Sequence, residues 1–280
     1  MTIELTLRLA AAVESMPAFP KSVQNIVALT RNMDCSPKDL VQVIGKDPVI
    51  TVKVLRVVNS AYYNLATQIT SIDHAVVFLG FNTIKNLALS IAAISMLPSK
   101  HMAGFEGQQY LLHSLVTAGI AKQLAQHVQD ADPNDCFIAG LLHDFGKVVV
   151  AQCMPAEYQS AVEISLWRET SLHSALREVV GVDHFAIGAM LVERWRFAPQ
   201  LIETIRYLDG ASLKDTDMIA CVFAANQICK HLDCDFGGSP ALAALPDTVC
   251  RRLGGTESEL RASLGDLTPM LEEARLFSKL

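Results

Sequence analysis

Proline recurs in this chain at places where a helix has to begin. Ser36-Pro37, Asp47-Pro48, Asp132-Pro133 and Thr268-Pro269 each set a capping side chain directly before a proline, and Pro155 and Pro199 open further apolar segments. With a fixed φ and no N–H, proline suits the first helical turn and is excluded from the helix interior. The preceding Ser, Asp or Thr can accept from the exposed N–H groups of that turn. Glycines such as Gly80 and Gly181 mark the far ends. Only Val49–Val58 argues for a strand, through its β-branched residues; its Asp47 cap and the Asn59-Ser60 stop favour a buried helix instead. About a dozen helices and no strand follow, an all-α, multi-helix architecture.

The segments can be bounded one by one. Residues 2–14 read as helix, Met16–Pro20 as an extended strap, and Lys21–Arg31 as a second helix. Helices are expected from Ser36 to Gly45, from Ile72 to Leu79 behind a Ser71 cap, and from an Asn82 cap to Pro98. Lys100–Gly107 is the best lobe boundary. Beyond it, Gln108–Gln129 carries an apolar face with His113 beside it. Further helices run from Pro155 to Trp167, Ser171 to Val180, His184 to Trp195 behind Asp183, Pro199 to Asp209, and Asp217 to His231 behind Asp215 or Thr216. Gly188 and Ala189 permit a close helix approach. The last fifty or so residues are more weakly patterned, with glycine pairs at 237 and 254.

Composition excludes several classes. A formal charge of −6 gives no basic face for general nucleic-acid binding. No apolar run approaches the ~18 residues of a membrane span, the longest candidate being Leu87–Leu97, and no secretory leader is evident. Seven cysteines without a C-x-x-C pair read as reduced thiols, with Cys229 and Cys234 nearest in sequence. At 51% hydrophobic residues, the chain should be a densely packed cytoplasmic protein.

Chemistry concentrates at Gly140–Lys147, where an apolar run delivers His143-Asp144, Gly146 is expected to break the helix, and Lys147 follows. Imidazole nitrogen and carboxylate oxygen suit zinc, iron or manganese. The alternative is a packing pair in which His143 donates to Asp144. Lys147 reads as a phosphate ligand or a solvated helix-start lysine. His74, His101, His127, His173 and His231 share no spacing and default to surface or packing roles; Trp195 reads as a core anchor. Asn59 and Ser60 read as helix-stop residues or, alternatively, ligands. No Gly-x-Ser-x-Gly elbow supports a serine hydrolase.

Taken in order, Met16–Pro20, Asp47-Pro48, Asn59–Tyr62, Ile69–Ile72, Leu79-Gly80, Gly140–Lys147, Gly181–His184, Gly188-Ala189, Trp195 and Pro199 resemble the HDOD family, relatives of the HD metal-dependent phosphohydrolases. The resemblance implies an HDOD domain over 14–232, with a helical N-terminal lobe (14–100) packed on an HD-like helical bundle (101–232), and a C-terminal extension over 233–280 whose role stays open. It maps the metal ligands of catalytic relatives onto His113, His143, Asp144 and His184. Two positions depart from the catalytic pattern: Leu208-Asp209 stands where HD-GYP members carry a His-His pair, and Asn226 stands at the late Asp. No Gly-Tyr-Pro segment is present. An amide brings one neutral oxygen where a carboxylate brings a charge, so a two-metal clamp is not expected.

The resulting expectation is a bacterial regulatory module with no catalytic residues, acting through signalling protein partners, with room for a homo-oligomer. No cofactor is expected beyond at most one divalent ion (Fe, Zn or Mn). With no sensory segment before Met16, input is expected from another chain or a small ligand. The alternatives are a metal-dependent phosphohydrolase of the nucleotide or cyclic-nucleotide class, with Lys147 steering phosphate, and a metal sensor without turnover.

Overall fold

The computed structural model describes residues 3–18, 20–30, 36–60, 63, 65, 67–97, 104–209, 214–232, 234 and 244–279. Phe19, Arg31, Ala61, Tyr62, Pro98, Lys100, His101, Gly210 and the glycine pair at 237 lie outside these residues. The described residues form helices and no strand: α1 (Ile3–Ser15), α2 (Lys21–Thr30), α3 (Pro37–Gly45), α4 (Pro48–Val58), α5 (Ile72–Leu79), α6 (Phe81–Ser95), α7 (Gly107–Ala125), α8 (Pro133–Leu142), α9 (Phe145–Cys153), α10 (Pro155–Trp167), α11 (Leu172–Val180), α12 (His184–Arg194), α13 (Pro199–Arg206), α14 (Asp217–His231), α15 (Asp247–Leu253), α16 (Glu257–Ser263) and α17 (Thr268–Phe277). The chain divides into two units, Met1–Pro17 with Leu97–Met270, and Ala18–Met96 with Leu271–Leu280.

Most start signals act as expected; Thr268, expected as a cap, is instead the first residue of α17, and its N–H donates to Asp266 Oδ1 at 2.9 Å. Asp47 accepts from the backbone N–H groups of Val49 and Ile50, and Asp132 from those of Asn134 and Asp135. Ser71, Ser171, Asp183 and Thr216 cap α5, α11, α12 and α14 in the same way. At the other end, Gly181 closes α11 with φ +82°. Asn82 is not a cap: α6 begins one residue earlier, behind Gly80.

In the second unit, Val49–Val58 is helical and buries Ile50, Val54, Val57 and Val58. Its other face leaves Val49 and Val52 exposed, as are Val77 and Phe78 on α5. Asn59 ends α4 and staples the loop behind it, donating to the Ile69 carbonyl and accepting from the Ile69 N–H, both at 2.7 Å. This is helix-stop chemistry. The Tyr63 hydroxyl meets Glu273 at 2.7 Å, so the C-terminal residues pack within this unit.

The first unit is built round α7, which packs against α8 on one side and α14 on another. A Cβ at Gly140 would lie 2.7 Å from the Ala118 Cα, so glycine is what lets α8 meet α7. The expected break at Gly146 occurs earlier, at His143-Asp144, and Gly146 lies inside α9. Its role is contact. A Cβ there would fall 1.8 Å from the carbonyl oxygen of His184, and Gly188 faces Gly146 from the next turn of α12. Trp195 is buried against Phe145, with ring centroids 5.3 Å apart, and donates to the Pro17 carbonyl at 3.2 Å. Arg194 ties the end of α1 down through the carbonyls of Val13 and Met16. Part of the 233–280 segment folds back here: Arg252 bonds Asp215 and Asp217, and the Met270 side chain lies against the backbone at Gly119.

One run, Pro133–Cys153, is long and apolar enough by composition to cross a membrane, contrary to the expectation that none approached that length. Its hydrophobicity is used for packing, since 89% of it is buried inside the fold.

Replacing Gly146 by Ala should destabilise the fold by at least about 3 kcal/mol, because backbone meets backbone there and neither side can yield. Gly45 has nothing within 4 Å of its added methyl, so Gly45→Ala should be neutral or stabilising. Urea midpoints of the two variants check the contrast.

Candidate metal centre

Three elements deliver the expected side chains to one buried point. His113 stands midway along α7, His143 and Asp144 occupy the turn between α8 and α9, and His184 opens α12. All four are buried. His113 Nε2 lies 3.3 Å from His143 Nε2, and the two are 3.5 and 3.4 Å from Asp144 Oδ2. His184 approaches the other carboxylate oxygen, with Nε2 3.0 Å from Oδ1. Lys147, one turn into α9, reaches back to Oδ2 at 2.7 Å. It is 5% exposed, so the solvated reading does not hold.

The tautomers of two rings follow from their neighbours. His113 Nδ1 lies 2.9 Å from the Cys234 carbonyl, and His143 Nδ1 lies 2.7 Å from the Gly140 carbonyl. A carbonyl only accepts, so both Nδ1 atoms carry the proton and both Nε2 atoms present lone pairs. Two imidazole lone pairs therefore face each other beside a carboxylate oxygen, with each ring held by a carbonyl, as in metal-ligating histidines. Asp144 Oδ1 has no polar partner other than the His184 ring. This donor set fits one divalent ion, and His113, His143 and Asp144 lie close enough to share it. Such an ion would be held by His113 Nε2, His143 Nε2 and Asp144, with His184 on the carboxylate's other side.

Electrostatics set the limits. Burial pushes His113 down to about 3, against the pull of Asp144. Burial also lowers His143 and His184, so the imidazoles are neutral ligands near neutral pH. For Asp144, burial acts to raise its carboxyl, but His143, Lys147 and His184 together hold it well below the usual range. The Tyr110 and Tyr158 phenols are raised, first by burial and then by the Asp144 charge.

Leu208 is buried, and the Asp209 carboxylate receives Arg177 at 2.6 Å. Asn226 is buried on α14 with its Oδ1 lacking a partner. Among the described residues Asp144 is the sole carboxylate of the cluster. Sequence reasoning passed over His173, whose ring centroid lies 6.4 Å from that of His184. It also passed over the Cys234 carbonyl, which has no sequence signal because it arrives from a segment 121 residues away. The Gly140 carbonyl was legible in principle, three residues before His143 on one helix.

A family model described as HDOD domain matches residues 16–210. A curated relative, an uncharacterized protein of Treponema pallidum (strain Nichols), is 29% identical over 236 residues, 83% of this chain and 45% of the relative. The chain thus spans about half the length of that relative. Among solved structures, an HDOD domain protein of unknown function from Geobacter sulfurreducens aligns with TM-score 0.78 at 24% identity, covering 97% of each chain. A protein from Shewanella amazonensis SB2B, provisionally described as a phosphohydrolase, gives 0.73 at 23%, again over 97% of each. One from Marinobacter aquaeolei VT8, provisionally described as a signal transduction protein, gives 0.80 at 22%, covering 98% of this chain and 65% of its own. At these identities the likeness is one of fold.

Two outcomes follow from the charges. Lys147→Met should cost about 3–5 kcal/mol by stranding a buried carboxylate. Adding Asp144→Asn to that variant should return part of the loss, which a urea double-mutant cycle measures. In the metal-free protein, His113, His143, His173 and His184 all titrate lower when folded than the ~6.5 of the unfolded chain. The unfolded chain therefore binds more protons below that point, and stability should be full above pH ~6.5 and fall towards the folded values. Asp144, also depressed, adds a loss of the same sign once the pH drops below ~3.8. Urea midpoints that stayed level from pH 8 to 5 would contradict the histidine part.

Proposed function

The chain belongs to the HDOD domain family, and from that premise we propose that it is a non-catalytic signal-transduction module that works through protein–protein contact. One observation carries this reading: the single carboxylate of the cluster is already balanced, inside the core, by the ammonium of Lys147 2.7 Å away. Metal-assisted hydrolysis needs an ion with an open position, and a two-metal clamp needs bridging carboxylates as well. Asn226 contributes no charge, and Asp209 is engaged by Arg177. The exposed Val49, Val52, Val77 and Phe78 on α4 and α5 supply apolar surface of the kind used in partner contacts. The partner is a signalling protein, with self-association as a further mode.

A second reading is favoured by the facing lone pairs of His113 and His143. Under it the cluster takes one divalent ion without turnover, and occupancy sets the state that partners sense. A bound ion would supply a fixed positive charge and cross-link α7, the α8–α9 turn and α12.

Purified protein given Fe²⁺, Mn²⁺ or Zn²⁺ should hydrolyse neither cyclic dinucleotides nor a generic phosphodiester above background. His143→Ala should change nothing in that assay. Turnover at enzyme-like rates that His143→Ala abolishes would overturn the non-catalytic reading.

A further inference from the structure

Two exposed helix stripes take no part in the core or the cluster, and they are chemical counterparts. On α4, Val49, Val52, Lys53 and Arg56 follow the i, i+3, i+4, i+7 spacing of one helix face, turned away from the buried Ile50, Val54, Val57 and Val58. The neighbouring α5, which packs on α4, exposes Val77 and Phe78. Among the described residues Lys46, Lys53 and Arg56 pair with no carboxylate, whereas in the first unit Lys214 is held by Glu203 and Arg252 by Asp215 and Asp217. The second stripe closes α10. There Glu163, Leu166 and Trp167 share a face at i, i+3, i+4, with Glu169 just past the helix end. Trp167 is 81% exposed, an unusual position for the side chain that gains most from burial at an interface. The cation beside it, Arg168, is taken by Glu178 at 2.7 Å. Glu163 meets the Gln159 amide and Glu169 stands clear, so among the described residues neither pairs with a cation. One stripe is thus apolar and basic, the other apolar and acidic. The sequence is segregated in the same sense: residues 18–96 hold seven of the 23 lysines and arginines but four of the 29 acids, a net +3 within a chain of −6.

We propose that the α4–α5 face of one copy receives the α10 end of a second copy. Val49, Val52, Val77 and Phe78 take up Leu166 and Trp167, while Lys53 and Arg56 face Glu163 and Glu169. The inference rests on the protein–protein reading and gives its self-association mode a definite pair of faces. Because unlike faces meet, the contact is heterologous, and every copy offers one face of each kind. Six apolar side chains make a small interface, and exposed ion pairs add little each. The association is therefore transient, dependent on concentration and weakened by salt.

Analytical ultracentrifugation of the full chain provides the test. The weight-average mass of wild type should climb above that of one chain as concentration rises, and should fall back at ~1 M salt, where the Debye length is about 3 Å. Val52→Glu on one face and Trp167→Ser on the other should each weaken association at least about tenfold. Both positions are exposed, and circular dichroism with urea midpoints confirms that the variants fold. Mixing the two variants is the decisive step. The Val52→Glu copy keeps its α10 end and the Trp167→Ser copy keeps its α4–α5 face, so the mixture should regain a dimer of one copy of each, and nothing larger. If the mixture associates no better than either variant alone, like faces meet like and the proposal fails. Variants that associate as wild type does, or an association that ignores salt, overturn it as well. If wild type stays monomeric at every concentration, this inference falls while the protein–protein reading stands, since another protein can occupy either face; that reading fails separately, by metal-dependent turnover.

Discussion

The cluster depends on two helices crossing with no side chain between them. Gly146 of α9 lies against the carbonyl of His184, and Gly188 meets Gly146 one turn later. Any Cβ at Gly146 would push α12 away and carry His184 with it. Asp144 sits two residues before this contact, so the crossing that seats α12 also sets the 3.0 Å approach of His184 to the carboxylate. Packing and site geometry are one constraint here. The Phe145 ring, between Gly146 and Asp144 in sequence, fills the adjacent space against Trp195 and Tyr110.

Much of this was written locally in the chain. A Ser, Asp or Thr cap acts within its own first turn, so its effect is readable from neighbouring residues, and the caps at Asp47, Ser71, Asp132, Ser171, Asp183 and Thr216 hold. His143-Asp144 is legible as a ligand pair from its own residues, His113 and His184 join it through the resemblance, and the fold brings all four together. What was not legible depends on approach in space. Gly146 reads as a helix breaker when judged by propensity alone, because the helix that demands its missing side chain lies some forty residues further on. Lys147 reads as a phosphate ligand or a solvated helix-start lysine; only the three-residue return to Asp144 inside the core shows that it is not solvated. Asn82 carries a good cap side chain, yet Gly80 already starts α6.

The charge count of the pocket decides what it can hold. Asp144 contributes one negative charge, Lys147 one positive, and the buried imidazoles are neutral. Without an ion the sum is near zero, which a dry interior tolerates. A single divalent ion leaves an excess of positive charge unless Lys147 turns away from Oδ2 and a further anion enters. A second ion raises that excess with no carboxylate available at 208, 209 or 226 to offset it, since those positions hold an aliphatic chain, an Arg177-bound carboxylate and an amide. Among the described residues the cluster therefore offers one carboxylate, enough to help hold one ion and too little for two.

The same count explains why the lysine and the lone pairs are not in conflict. Lys147 takes Oδ2, while Oδ1 faces the His184 ring alone. The Nε2 lone pairs of His113 and His143 lie on the Oδ2 side, within 3.5 Å. An ion seated between those lone pairs competes with the ammonium for one oxygen, and the displaced lysine would have to find solvent from a position 5% exposed. Holding the ion is thus coupled to moving a buried charge on α9, the helix whose backbone carries the Gly146 contact. Under the single-ion reading, a pocket that is charge-neutral either with the ammonium inside or with the ammonium displaced and an ion and an accompanying anion in its place would have the two-state character that a switch needs.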